Sequence, residues 1–263
     1  MKMMHRMILF DLDGTLLTSD GTVCSATANI IKCCKQEGHY IGYITARSRS
    51  KKNIRLLDGL PCDFTAFYNG AVICAGNQLI ESNVLSYKQV TSILQRLNKD
   101  FPDVTIDVHQ EPWHFSSICS EMCYYMDLEK GKVCSLTQLP EHDVQRIRLK
   151  SENLMSIPIQ KYMTPESTFY YTTFGDVIIG HKNANKGTAA KRASEIFRTP
   201  LDQMIAFGDD INDIDMLKIV GTGVAMGNAV PILKKIADYV TRTNDENGIA
   251  FWINEYLVKY GQR

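Results

Sequence analysis

Met7-Ile8-Leu9-Phe10-Asp11-Leu12-Asp13-Gly14-Thr15 opens on four apolar residues and ends on two carboxylates, one residue apart, before a glycine. The apolar run reads as a fully buried strand, and the acids then stand at its carboxyl end. Ligands in open α/β sheets bind at that end of the strands. Two carboxylates there can hold a divalent cation and divide the chemistry, one as nucleophile and one as proton carrier. An Asp-Gly turn with solvated acids is the plain alternative. Asp, Asp, Gly and Thr at this spacing arise by chance in about one chain of this length in several hundred. The weight of the motif therefore depends on the remainder of the chain.

A second acidic cluster, Gly208-Asp209-Asp210-Ile211-Asn212-Asp213, comes after the apolar run Met204-Ile205-Ala206-Phe207. The two clusters can face each other only if their strands are neighbours in one sheet. Between them come Tyr43-Ile44-Thr45-Ala46-Arg47, which puts a hydroxyl at a strand end, and Asn185-Lys186-Gly187, which puts a lysine before a helix. Alone, each has a bland reading: a polar strand end, a surface lysine, an acidic helix cap.

The pattern around these motifs alternates. Strands are predicted at 7–10, 40–45 and 64–68, with helices at 26–37, capped by Ser25 and ended by Gly38, and at 48–57. From Lys186 the chain runs through a helix (186–197), strand (204–207), helix (211–218), strand (222–226), helix (229–236), short strand (239–241) and helix (248–258). Such alternation implies a parallel sheet with helices on its faces. After about Asn77 the texture changes. A helix over 86–98 carries Val90, Ile93, Leu94 and Leu97 at helical spacing, and strand-like segments fall at 104–108, 115–118, 168–174 and 176–179. Phe174-Gly175-Asp176 reads as the hairpin turn between the last two. The expected fold class is therefore α/β: a doubly wound, Rossmann-like parallel-sheet core from residues 1–77 and 183–263, with an α+β cap inserted at 78–182 as a lid.

Composition narrows the function. The 263 residues carry 29 basic and 29 acidic side chains, so the formal net charge is zero. That argues against a general nucleic-acid-binding surface, though not against a local pocket for one phosphate. No apolar stretch has the length of a membrane span, and Met1-Lys2-Met3-Met4-His5-Arg6 lacks the apolar region of a signal peptide. The eight cysteines include no Cys-x-x-Cys pair, which fits reduced thiols in a cytoplasmic protein better than a zinc site.

The order of carboxylate pair, hydroxyl, lysine and carboxylate cluster resembles the haloacid dehalogenase superfamily of phosphotransferases. Asn69-Gly70-Ala71 and Gly223-Val224-Ala225-Met226-Gly227-Asn228-Ala229 are similar to its Cof-type hydrolases, which carry a C2 (type IIB) α/β cap. The resemblance implies that Asp11 attacks a phosphoryl group and that Asp13 protonates the leaving oxygen and then activates water. Asp13 should then have neighbours that favour its neutral form. Thr45, Ala46 and Arg47 form the phosphate-binding loop, where Ala46 replaces the family glycine and resists a positive φ. Lys186 neutralises developing charge. Asp11, the Asp13 carbonyl and Asp209 hold the cation, and an oxygen-only set of few ligands indicates Mg²⁺. Asn212 donates to phosphate, Asp213 holds a metal-bound water or positions Lys186, and Asn69 lines the crossing into the lid. Thr15 reads as a turn residue that bonds backbone. In the lid, His109, Trp113, His114, Tyr124 and Tyr125 are the polar-tipped or aromatic side chains, with Trp and Tyr on such strands more often core than substrate platform, and Glu111 and Arg148 carry no assignment.

The expected activity is Mg²⁺-dependent hydrolysis of a small phosphorylated metabolite, with sugar phosphates the leading class. A phosphosugar mutase on the same core and a non-catalytic phosphometabolite-binding regulator remain alternatives. The oligomeric state is left open.

Overall fold

In the computed structural model, residues 5–111, 113–117, 133–135 and 139–258 are described. The core is an eight-stranded sheet. Its strands are β1 (Met7–Phe10), β2 (Tyr40–Ile44), β3 (Phe64–Phe67), β4 (Val72–Ala75) and β5 (Gln78–Ser82) from the first part of the chain. After the six strands of a second, inserted sheet, the chain returns to the core with β12 (Met204–Gly208), β13 (Thr222–Ala225) and β14 (Tyr239–Val240). The order is β14-β13-β12-β1-β2-β3-β4-β5. Strands β14 to β3 run parallel, while β4 and β5 are antiparallel additions at the edge. From β1 the chain winds outward through β2 and β3, and later winds the other way through β12 and β13. The junction of β1 and β12 is thus the topological switch point, where open α/β sheets place their ligands.

All four residues of β1 are fully buried, because the strand lies mid-sheet. This is why its sequence is a continuous apolar run without alternation. Phe10 stacks on Phe207 with ring centroids 5.3 Å apart and also meets Tyr43. The predicted helix boundaries hold best for α4 (Lys186–Phe197), whose N-cap Asn185 accepts from the Thr188 amide. Two local readings change. Ser25 is the first residue of α1 (Ser25–Gln36) rather than its cap, and the helix expected over 48–57 contracts to α2 (Lys51–Arg55), with Ser50 as its capping side chain.

The second sheet has the order β10-β11-β9-β6-β7-β8. It is built from β6 (Thr105–Gln110), β7 (Trp113–Ser116), β8 (Val133–Ser135), β9 (Arg146–Lys150), β10 (Ser167–Tyr171) and β11 (Val177–His181). Helix α3 (Tyr87–Asp100) packs its predicted stripe of Val90, Ile93, Leu94 and Leu97 with Ile106, Val108, Ile147, Leu149, Val177 and Ile179. The strand expected over 168–174 stops at Tyr171, and the turn over 172–176 contains Gly175 at φ +84°. The β4–β5 hairpin belongs to the core sheet, so the chain leaves that sheet after Ser82 rather than at residue 78. Gly76, at φ +55°, makes that hairpin's turn. Ile118, Tyr124 and Tyr125 lie outside the described residues, as does the Trp113 side chain.

Because Phe10 is fully buried and stacked at the switch point, Phe10→Ala is expected to cost about 3–5 kcal/mol of stability. Urea unfolding at constant pH checks this.

Candidate active site

The register of β1 against β12 puts Phe10 opposite Phe207, so Asp11 and Asp209 leave the sheet side by side. The Asp11 amide continues the ladder, donating to the Phe207 carbonyl at 3.1 Å. The chain then makes one wide turn, in which the Leu16 and Leu17 amides donate to the carbonyls of Asp11 and Leu12. Gly14 takes φ +72° within it, and a Cβ there would fall 2.2 Å from Asp209 Oδ2. The loop can therefore close on Asp209 only with glycine at this position. The Thr15 hydroxyl, expected to bond backbone in the turn, instead donates to Asp209 Oδ1 at 2.7 Å and orients that carboxylate. Asn228 donates to the Gly14 carbonyl at 2.8 Å and holds the loop from the other side.

Lys186, the first residue of α4, is buried with its ammonium 2.6 Å from Asp11 Oδ1 and 2.7 Å from Asp213 Oδ1. The other Asp213 oxygen accepts from the Asp209 and Asp210 amides at 3.0 and 3.1 Å. Asp213 is thus occupied on both oxygens and positions Lys186. A Cβ on Gly208 would strike the Asp213 carboxyl carbon at 2.5 Å, so this packing too depends on glycine. Asp210 caps the next turn, its carboxylate accepting from the Ile211 amide at 2.7 Å.

Asp11, Asp209 and Asp213 each offer a carboxylate oxygen within 4.8 Å of the others. These three carboxylates face the single Lys186 ammonium, an excess of negative charge in a buried place. Burial raises the Asp11 pKa well above the usual carboxylate range, against the pull of Lys186 and with the help of Asp213 and Asp209. Burial and then Asp213 push Asp209 up to about 6, against the Thr15 hydrogen bond. Burial works against the Lys186 charge, but Asp11 and Asp213 outweigh it and raise its pKa. A cluster of carboxylates that resist ionisation without a counter-charge fits a hard divalent cation bound through oxygen.

The remaining expected residues line the mouth. Asp13 is 57% exposed, and its carboxylate is held by the Arg47 guanidinium at 2.6 and 2.8 Å. Its neighbour is therefore a cation, in place of the surroundings favouring a neutral acid that the proton-carrier role called for. Thr45 is buried at the end of β2, and its hydroxyl oxygen accepts from the Arg47 amide at 3.0 Å. Ala46 stays out of the left-handed region, so its replacement of the family glycine imposes no backbone strain. Tyr68, Asn69 and Gly70 all take positive φ, of 50°, 59° and 109°. For Tyr68 that conformation costs about 1–2 kcal/mol. The amides of Tyr68 and Asn69 donate to the carbonyls of Arg47 and Thr45, which ties this turn to the Thr45 loop. Asn69 accepts from Asn212 at 3.1 Å and donates to the Tyr170 hydroxyl at 2.7 Å.

Tyr170 belongs to β10 of the second sheet and stands in no sequence motif. That sheet has one apolar face, against α3, and one polar face. Register places Asp107, His109, His114, Ser116, Arg146, Arg148, Lys150, Thr168 and Tyr170 on the polar one. This face meets the core: Arg146 donates to the Ala46 carbonyl at 2.8 Å, and Tyr68 packs edge-on to His109. Glu111, at the end of β6, accepts from the Arg49 amide at 2.9 Å. Arg148 is ion-paired with Asp176, so it serves the sheet. The alternation Arg146-Ile147-Arg148-Leu149-Lys150 was the available signal, since period two puts three cations on one strand face.

The family model for haloacid dehalogenase-like hydrolases matches residues 8–253. The chain belongs to that family, as a phosphoric monoester hydrolase with the Cof-type arrangement of core and cap. It is 28% identical over 261 residues to the putative phosphatase YkrA of Bacillus subtilis, covering 95% of this chain and 97% of that protein. It is 26% identical over 265 residues to the 5-amino-6-(5-phospho-D-ribitylamino)uracil phosphatase YitU of the same organism, again covering 95% and 97%. Its fold superposes on the HAD subclass IIB sugar phosphatase BT4131 with a TM-score of 0.81 at 21% identity, covering 95% of this chain and 98% of that one.

Two outcomes are expected. Gly14→Ala combines a positive-φ strain with a collision on Asp209, and should abolish divalent-cation binding in titration calorimetry while the protein still folds. Divalent-cation affinity of the unaltered protein should weaken as pH falls through about 6, where Asp209 takes up a proton, and the raised pKa of Asp11 adds to the loss in the same direction. Calorimetry across that range checks the sign.

Proposed function

We propose that this protein is a Mg²⁺-dependent phosphatase that hydrolyses small phosphomonoesters through an aspartyl-phosphate at Asp11. The observation that carries the reading is the buried Lys186 ammonium, 2.6 Å from Asp11 and 2.7 Å from Asp213, with Asp209 alongside. Lys186 leaves Asp11 one oxygen to attack phosphorus and offsets the charge that builds as the bond forms. The Thr45 hydroxyl, whose oxygen already accepts from Arg47, is free to donate to a phosphoryl oxygen, and the Asn212 amide can do the same. The Asp11–phosphorus bond forms as the ester oxygen departs. Asp13, at the mouth, gives that oxygen a proton and later takes one from the water that attacks the acyl phosphate. Arg47 must release the Asp13 carboxylate for this. Bound Mg²⁺ would be held by Asp11, Asp209 and the Asp13 carbonyl, and would supply a counter-charge to the phosphoryl oxygens.

The cap closes over the carboxyl ends of the strands, which favours a small metabolite over a phosphoprotein. Sugar phosphates are the leading class, supported by the likeness to a protein described as a sugar phosphatase. The cytoplasm is the proposed setting; among the described residues no helix is long and apolar enough to cross a membrane.

Phosphate release from a panel of sugar phosphates and nucleotides is expected to require Mg²⁺, to stop with EDTA, and to fall about a thousandfold or more in Asp11→Asn. Release unaffected by EDTA or by Asp11→Asn, in folded protein, would overturn the reading. Asp213→Asn frees Lys186 on one side and should lower kcat by about a hundredfold with a smaller change in KM.

A further inference from the structure

On the polar face of the second sheet, β9 carries Arg146, Arg148 and Lys150 at alternate positions. Two of these cations have carboxylate partners: Arg148 pairs with Asp176, and Lys150 lies 3.5 Å from Asp107. Arg146 makes no ion pair among the described residues, and the Asp107 carboxylate acts on it only from a distance. One terminal nitrogen, Nη1, donates to the Ala46 carbonyl, and its guanidinium lies 5.1 Å from the centre of the Tyr68 ring. Its Nε–H is buried and has no acceptor. Burial without a counter-ion disfavours its charge, lowering its pKa. A buried guanidinium with an unmet donor and no anion is costly, unless an anion arrives with a ligand.

The place is built to receive one. Arg146 lines a recess between cap and core together with Tyr68, Asn69, Thr168 and Tyr170. The recess adjoins the Thr45–Arg47 loop through the Arg146 contact to Ala46, and Asn212 through Asn69. The Tyr170 oxygen accepts from Asn69, which leaves its own hydrogen to donate. His109, the register partner of Arg146, also leaves its buried Nε2 unpartnered. His109 stands outside the lining, which Ile178, Gly180 and Ala184 complete, so the donors the recess presents are Arg146 and Tyr170, one of them charged.

We propose that the preferred substrate carries, besides the phosphoryl group that is cleaved, a second anionic group on its leaving portion, and that Arg146 with Tyr170 holds that group in this recess. The assignment rests on the phosphatase reading above and narrows its substrate class to phosphorylated acids or bisphosphates. A guanidinium binds either anion through parallel N–H bonds, and the charge-assisted pair is the source of selectivity.

The test compares matched substrates in the intact Mg²⁺-loaded protein: sorbitol 6-phosphate against 6-phosphogluconate, open chains that differ at C1 by a hydroxymethyl group and a carboxylate, and glucose 6-phosphate against glucose 1,6-bisphosphate, which differs by a phosphate. At least one anionic member should exceed its neutral counterpart by about tenfold or more in kcat/KM, and the two arms tell carboxylate from phosphate. Arg146→Met should bring the ratio near one, and Arg146→Lys should restore part of it, with melting temperature confirming that each variant is folded. An Arg146 that only latches cap to core would lower both members of a pair alike and leave the ratio unchanged, which would overturn the proposal. A wild-type ratio near one in both pairs, with normal release from the neutral members, would overturn it too, needs no variant, and leaves the phosphatase reading intact. Absence of Mg²⁺-dependent release from every member would remove both.

Discussion

The Lys186 ammonium, enclosed by Asp11 and Asp213, is the interaction on which the rest of the site depends. A lone buried ammonium would be expelled or neutralised, and breaking such a pair by removing one partner typically costs about 3–5 kcal/mol. Each partner comes from a different element: Asp11 from the end of β1, Lys186 from the first turn of α4, Asp213 from the turn after β12. They meet because β1 and β12 are parallel neighbours and α4 packs against β2, β3 and the turn after β12. Asp213 also fastens the amides of Asp209 and Asp210, so the same carboxylate that steadies Lys186 shapes the strand-end loop that carries Asp209. The fold and the site thus share one knot of charge, whose negative excess a divalent cation could offset.

The second sheet extends this logic. Alternation along β6 and β9 sends Ile106, Val108, Ile147 and Leu149 into the α3 side and leaves the polar residues facing the core. A sheet with one apolar and one polar face needs partners for both, and here the partner of the polar face is the mouth of the site. The contacts that join them, Arg146 to Ala46 and Tyr170 to Asn69, fall on the loops expected to grip phosphate. The cap and those loops are therefore joined by these polar contacts.

The parts of this arrangement that were legible in the sequence are the parts written locally. A buried strand shows as an unbroken apolar run, a helix such as α3 shows as a 3.6-residue stripe, and an acid after an apolar run shows as a strand end. The reach of Thr15 to Asp209 spans 194 residues and has no local signature, so its hydroxyl read as a turn-former. Arg146 meets Ala46 across 100 residues and read as nothing in particular. Residues 78–82 fall in the expected insertion because the texture changes near Asn77, yet ladder pairing with β4, which composition does not report, keeps them in the core sheet as β5. The Asp13 environment was inferred from its role, and the structure supplies Arg47 instead.

The central claim is that Asp11 becomes covalently phosphorylated. Protein mixed with a turning-over phosphomonoester and Mg²⁺, quenched in acid and reduced with borohydride, should yield a peptide in which Asp11 has become homoserine, since an acyl phosphate is reduced where a free carboxylate is not. The modification should need both substrate and Mg²⁺. Steady turnover with Asp11 unmodified, and with direct attack of water as the only remaining route, would contradict the account.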